Sequence, residues 1–209
     1  MGRHTGPVCR LCRREGLKLF LKGTRCDTPK CAVERREGVP GMHQFRRGKA
    51  SEYSIRLREK QKVKRYYGVF ERQFRKYFDM ASRHHGNTGD ALMSLIERRL
   101  DNVVTRLGFA SSRAQARQII GHGHITVNGR KLDIPSYLVR PGDHIQVKNR
   151  DHSKKLIANS LMSEGMPPVP DWLDRVSTDP AEARVARLPG QQDISLPVTP
   201  QLIVELLSR

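Results

Sequence analysis

Apolar side chains recur along this chain at a helical period over its middle third and at a shorter period after it. In VFERQFRKYFDMASRHHG, Phe70, Phe74, Tyr77, Phe78 and Ala81 fall at i, i+4, i+7, i+8 and i+11, one stripe of a helix. Arg72, Lys76 and Arg83 share the opposite side, with Arg75 at its margin, so the stripe predicts core and the remainder a basic exposed face. The aromatics read as packing residues and not as base-stacking platforms. Upstream, SEYSIRLREKQKVKRYYG predicts a helix capped by Ser51 and carrying Arg56, Arg58, Lys60, Lys62, Lys64 and Arg65. Downstream, Thr88 as N-cap opens a third helix through ALMSLIERRLDNVVTRLG. Leu92, Leu95, Ile96, Val103, Val104 and Leu107 are available for burial, Gly108 is the stop, and Arg98, Arg99, Asn102 and Arg106 form the expected outward face.

Beyond Gly108 the elements shorten. Ser111 or Ser112 caps a short helix packed by Ala114, Ile119 and Ile120 and ended by Gly121 and Gly123. HITVNGRKL then begins a strand interrupted by an Asn128-Gly129 turn, and Pro141-Gly142-Asp143 makes another turn before the strand HIQVK. This predicts a helix-turn-helix-plus-hairpin module of about fifty residues. MSEGMPPVPDW, at 162–172, reads as a Pro-rich connector.

Composition adds a partner to these elements. The chain has 209 residues and 37% hydrophobic content, enough for several modest cores and low for one large one. Its 39 Lys and Arg against 21 Asp and Glu leave a net charge of +18. That density favours a polyanionic partner, of which nucleic acid is the commonest and an acidic membrane the competitor. No stretch approaches the roughly 20 apolar residues needed to span a bilayer, so membrane association is disfavoured. MGRHTGPVCRLCRREG also lacks the apolar core of a secretory signal, which makes the cytoplasm the expected location. The charge is uneven: residues 1–80 hold 22 basic and 8 acidic side chains, residues 81–150 hold 11 and 5, and residues 151–209 hold 6 and 8. The polyanion is therefore expected against the first two-thirds of the chain.

All four cysteines lie in the first 31 residues, as Cys9-x2-Cys12, thirteen residues, then Cys26-x4-Cys31. Free or disulfide-linked thiols explain neither that clustering nor the absence of cysteine elsewhere, whereas two close pairs joined by a spacer suit tetrahedral thiolate coordination. Four thiolates close the shell of a structural Zn2+ and equally suit a 4Fe-4S cluster, so metal identity stays open. Arg10, Arg13, Arg14, Arg25 and Lys30 are expected to lower the thiol pKa values. From Gly38 to Lys49 the chain is a Gly- and Pro-punctuated loop carrying Arg46, Arg47 and Lys49.

RRLDNVVTRLGFASSRAQARQIIGHGHITVNGRKL resembles the small RNA-binding domain named after the fourth protein of the small ribosomal subunit. The resemblance implies an RNA-facing edge of Arg98, Asn102, Arg106, Ser112, Arg113 and Arg117, with Asn128, Gly129 and Arg130 on the adjoining turn. GPVCRLCRREG, LREKQKVKRYYGVFERQFRKYF, the GNTGDAL step and the terminal PQLIVELLSR extend the likeness to bacterial-type ribosomal protein four over nearly the whole chain.

The family implies an α+β, mainly helical fold with a short antiparallel sheet. Its parts would be a four-cysteine metal-binding knuckle and basic loop at 1–44, a helical rRNA-binding domain at 45–97 completed by a C-terminal helix at 190–209, the RNA-binding module at 98–162 and a connector at 163–189. It implies a primary binder of small-subunit rRNA that nucleates the 5′ domain, a neighbour in small-subunit ribosomal protein five, a part in translational accuracy, and mRNA contact at the entry channel through Arg46, Arg47 and Lys49.

Two other classes are weighed against this. An enzyme would need a site, and His84, His85, His122, His124 and Asp143 have no second carboxylate or nucleophile at useful spacing. No Walker A loop or dinucleotide fingerprint is present, so neither catalysis nor a small-molecule substrate is expected. A DNA- or RNA-binding regulator outside the ribosome also suits a cysteine knuckle with basic helices, but basic residues spread over three segments favour a shaped RNA contacted on several sides.

Overall fold

The computed structural model describes residues 2, 4–36, 38–42, 49–162 and 168–208. The chain divides into two compact units, Met1–Met93 with Leu196–Arg209, and Ser94–Ser195. The first unit opens with α1 (Cys9–Glu15), a 3-10 turn (Gly23–Asp27) and the single-turn α2 (Ala32–Arg35), followed by α3 (Glu52–Tyr67), α4 (Glu71–Ser82) and the start of α5 (Thr88–Glu97). Ser51 Oγ accepts the Ser54 N–H at 3.3 Å, as its cap role requires. Gly68, at φ 64°, closes α3 in the left-handed region that suits glycine.

On α4, Phe74, Tyr77 and Ala81 are buried as the stripe predicts. Phe78 is half-buried, and Phe70 is 51% exposed because it is the extended N-cap residue and its side chain leaves before helical periodicity begins. The α5 cap is Asn87, whose Oδ1 accepts the Gly89 N–H at 2.9 Å; Thr88, the predicted cap, is already helical.

In the second unit the expected long helix is two. It breaks at Arg98–Arg99, and α6 (Leu100–Arg106) begins after an extended Arg99. The reason is a competing set of backbone partners: the Leu100 and Asp101 N–H groups donate to Tyr137 and Pro135 carbonyls at 2.8 and 3.0 Å, and the Val139 N–H donates to the Arg98 carbonyl at 3.0 Å. A loop far along the chain thus satisfies donors that helix continuation would have used. Next comes α7 (Arg113–Gly121), capped by Ser112 Oγ, with Ala116, Ile119 and Ile120 buried. Ala116 takes the inward place expected for Ala114, which is exposed.

The sheet is antiparallel throughout, in the order β2-β1-β3-β5-β4, from β1 (Ile125–Val127), β2 (Arg130–Lys131), β3 (His144–Val147), β4 (Leu173–Thr178) and β5 (Ala181–Val185). α8 (Asp151–Leu161) lies between β3 and β4 in the chain. Ile125 pairs with Val147, Val127 with Ile145, and Ile145 with Ala183, so the period of two delivers one apolar face to a core shared with Leu100, Val104, Leu107, Phe109, Ile120 and Trp172. Residues 163–189 were expected as a connector; their described part instead carries the β4–β5 hairpin. The alternation in Ala181, Glu182, Ala183, Arg184 and Val185 is of the right period, but alanine makes it a faint signal beside the Pro-rich approach.

From Leu196 the chain rejoins the first unit, where α9 (Pro200–Leu207) buries Ile203. A Cβ on Gly89 would lie 2.8 Å from Pro200 Cβ, so this approach admits only glycine without a shift. Glu59 accepts the Thr199 N–H at 3.1 Å and Arg56 donates to Glu205 at 2.6 Å, which ties α9 to α3.

Candidate nucleic-acid interface

The densest basic helix is also the most internally neutralised. Every Arg and Lys of α3 has a carboxylate partner: Arg56 reaches Glu52 and Glu205, Arg58 and Arg65 share Glu15, Lys60 and Lys64 share Glu71, and Lys62 pairs with Glu59. Glu15 is 1% exposed, so two guanidiniums are drawn inward around it. Burial alone would raise the Glu71 pKa, but hydrogen bonds from Lys64 and Lys60 outweigh it and hold the carboxyl at about 2.

α4 is different. Arg72, Lys76 and Arg83 are exposed and have no ion pair among the described residues. Arg75, 68% exposed, makes a single 3.3 Å contact with Glu71. This helix presents a cationic face with no internal claim on most of its charge. Lys49 is exposed ahead of α3, while Arg46 and Arg47 lie outside the described residues.

In the second unit the family-implied edge is organised from beneath. Arg99, Asn102 and Arg106, expected on an outward face, are buried at 0%, 1% and 6% exposure. They turn inward because carboxylates wait for them there: Asp101 binds Arg99 through Nε and Nη2 at 3.1 and 2.7 Å, and Glu97 binds Arg106 at 2.7 Å. From that layer two side chains are held nearer the surface. Arg117 Nη1 donates to Asp101 at 2.9 Å, and Arg113 Nε donates to Asn102 Oδ1 at 2.9 Å. Asn102 also donates to the Glu97 backbone carbonyl and carboxylate. Arg98 donates to the Val139 carbonyl at 2.9 Å.

Asn128 and Gly129, at φ 51° and 75°, make the two-residue turn that leaves Arg130 exposed. The Asn128 side chain is occupied in holding that turn, donating to Asp143 and accepting from the His144 N–H at 2.9 Å each. Ser112 is the α7 cap. The organising carboxylates Glu15, Glu71, Glu97 and Asp101 escaped the sequence reading. Their one signal was position, as scarce acids inside basic helical runs.

Cys9, Cys12, Cys26 and Cys31 line one cleft of about 20 Å³, formed by α1, the 3-10 turn and the start of α2. None forms a disulfide, and three are buried. Burial pushes the Cys12 and Cys26 thiols up, against the lowering expected from nearby Arg and Lys. Among the described residues no group of three or more His, Cys, Asp or Glu side chains is arranged to hold a metal ion.

Comparison with known proteins supplies the family. The profile of the ribosomal protein S4/S9 N-terminal domain matches residues 3–97, and that of the S4 domain matches 98–145. Proteins named small ribosomal subunit protein uS4 align over the whole of both chains, at 56% identity in Thermoanaerobacter pseudethanolicus and 54% in Thermus thermophilus. A protein named uS4A from Symbiobacterium thermophilum is 56% identical over the same full extent. The chain belongs to the uS4 family. This is a family of structural ribosomal proteins and not of enzymes. The two profile matches meet between residues 97 and 98, at the end of α5, the helix in which the two compact units meet in sequence. No helix among the described residues is long and apolar enough to cross a membrane.

Proposed function

We propose that this protein is a structural constituent of the small subunit of the cytoplasmic ribosome, binding small-subunit rRNA directly. One observation carries the reading: alignment at 54–56% identity over the full length of proteins named as that subunit's component. The α4 face of Arg72, Lys76 and Arg83 and the tethered pair Arg113 and Arg117 support it, since cations presented in rows contact phosphates and fix register without reading sequence. Shape of the folded RNA then supplies selectivity.

Within this reading the protein is a primary binder that seats on a multi-helix junction and nucleates assembly of the 5′ domain. Protein five of the small subunit is its neighbour, with a consequence for translational accuracy. The loop of Arg46, Arg47 and Lys49 touches mRNA at the entry channel. The four cysteines, which line one cleft but would have to draw closer to coordinate, hold a structural metal, zinc or an iron-sulfur cluster, as the staple for a segment too small to form its own core. Metal analysis with an absorption spectrum of anaerobically purified protein separates the two metals, and protein free of both contradicts the knuckle.

The test of the main reading is competition for the full chain between a small-subunit 5′-domain rRNA fragment and duplex DNA of equal length at fixed salt. Strong preference for the rRNA is expected. Equal retention by DNA would instead favour a nucleic-acid-binding regulator outside the ribosome.

A further inference from the structure

Three imidazoles and three permanent cations gather in the second unit beyond the C-terminal end of α7. His122 follows α7, His124 precedes β1 and His152 lies in the first turn of α8. The rings of His122 and His124 are centred 6.1 Å apart, and those of His124 and His152 5.7 Å apart. His124 Nδ1 lies 2.9 Å from the hydroxyl of Ser153, a residue 2% exposed, which fixes the central ring. Lys131 of β2 runs over Gly123, between the first two histidines in sequence: a Cβ there would collide with its Cε. Lys148 donates its backbone N–H to the His124 carbonyl at 2.8 Å, and Arg150 follows two residues on.

No acid among the described residues answers this charge. Lys131, Lys148, Arg150, His122 and His152 have no ion pair there. The nearest carboxylate along the chain, Asp151, lines the cavity beside Lys154, Arg175 and Asp179. Burial, then His152, His122, Arg150 and Lys148, hold the His124 pKa below its usual value, so the free protein keeps that ring neutral near neutral pH. Protonating His124 beside Arg150 and Lys148 is unfavourable until an anion arrives, and an anion arriving there favours its protonation by the same linkage. A metal cation suits the place poorly, because three fixed positive charges repel it and no three candidate ligands among the described residues are arranged for one.

We propose that His122, His124 and His152, with Lys131, Lys148 and Arg150, form a proton-coupled seat for an RNA backbone phosphate, engaged more tightly as pH falls through the histidine range. It rests on the rRNA-binding reading above and adds a site that extends past the S4-domain match, which ends at residue 145.

The experiment is the salt dependence of rRNA-fragment binding by the full chain at pH 8 and pH 6, for wild type and for H122Q/H152Q. Both replaced side chains are exposed, and the single variants serve where the pair fails to fold. Wild type should bind more tightly at pH 6, its log–log salt slope steeper by about 0.7–0.9, the increment for one more phosphate. The variant should lose that increment, its salt slope at pH 6 staying as it is at pH 8. An equal acid gain in both proteins overturns the seat, as does a gain that requires added zinc. Failure of wild type to bind rRNA at pH 8 would sink the functional reading itself, an outcome distinct from both.

Discussion

α3 and α4 are neighbours in sequence with similar basic content, and they use it in opposite ways. On α3 each cation is matched to a carboxylate, four of them converging in pairs on Glu15 and Glu71, so the helix's charge serves to hold the first unit together. On α4 the cations stand away from the apolar stripe without ion-pair partners among the described residues, save the single contact of Arg75. Basic density therefore does not locate an RNA surface; uncompensated density does. The same distinction separates the buried Arg99 and Arg106 from the histidine cluster beyond α7.

Removing a buried carboxylate should have the largest effect. Asp101→Ala takes the bidentate carboxylate away from Arg99, which is 0% exposed, and loss of about 3–5 kcal/mol in denaturant unfolding is expected. Replacing Arg99 and Asp101 together by apolar residues of similar volume should recover most of that stability. If Asp101→Ala unfolds like wild type, the buried layer is not what holds this unit.

Glu15→Gln comes next. It removes the charge shared by Arg58 and Arg65, and a loss of about 2 kcal/mol by the same measurement is expected. A change near zero would mean that α1 is joined to α3 by packing alone.

Glu71 gives a smaller effect with a pH signature. Its pKa is about 2 in the folded chain against 4.5 for an unperturbed carboxyl, so the stabilisation is fully present above pH 4.5 and fades as pH falls toward 2. Because the side chain is 37% exposed, screening reduces the worth of its pairs to about 1 kcal/mol. Melting temperatures of wild type and Glu71→Gln should therefore differ at pH 7 and converge near pH 2. A gap constant across that range would show that Lys60 and Lys64 do not set this carboxyl.

How much of this was legible in the residues follows the same division. Periodicity identified the α4 stripe because Phe74, Tyr77 and Ala81 obey local geometry alone, and the Ser51 cap was readable for the same reason. The break at Arg98–Arg99 was not, because Tyr137 and Pro135 impose it from nearly forty residues away. The inward turn of Arg99 and Arg106 escaped for a related reason: a guanidinium can be buried when a carboxylate waits for it, and sequence spacing does not show which acid pairs with which base. The β4–β5 hairpin was hidden by weak strand formers. Of the interface residues, those on α4 are exposed as expected, whereas those on α3 and α6 are largely occupied inside the protein.

The central claim is that uncompensated cations carry the RNA contact, and the salt dependence of binding to a 5′-domain rRNA fragment tests it most directly. Neutralising Arg72, Lys76 and Arg83 together with glutamine should lower the log–log slope by about 2–3, at about 0.7–0.9 per phosphate, and leave the melting temperature unchanged. Neutralising Arg56 and Lys62 on α3 should lower the melting temperature and leave the slope as it is. A slope that falls with the α3 pair and holds with the α4 trio would contradict the account.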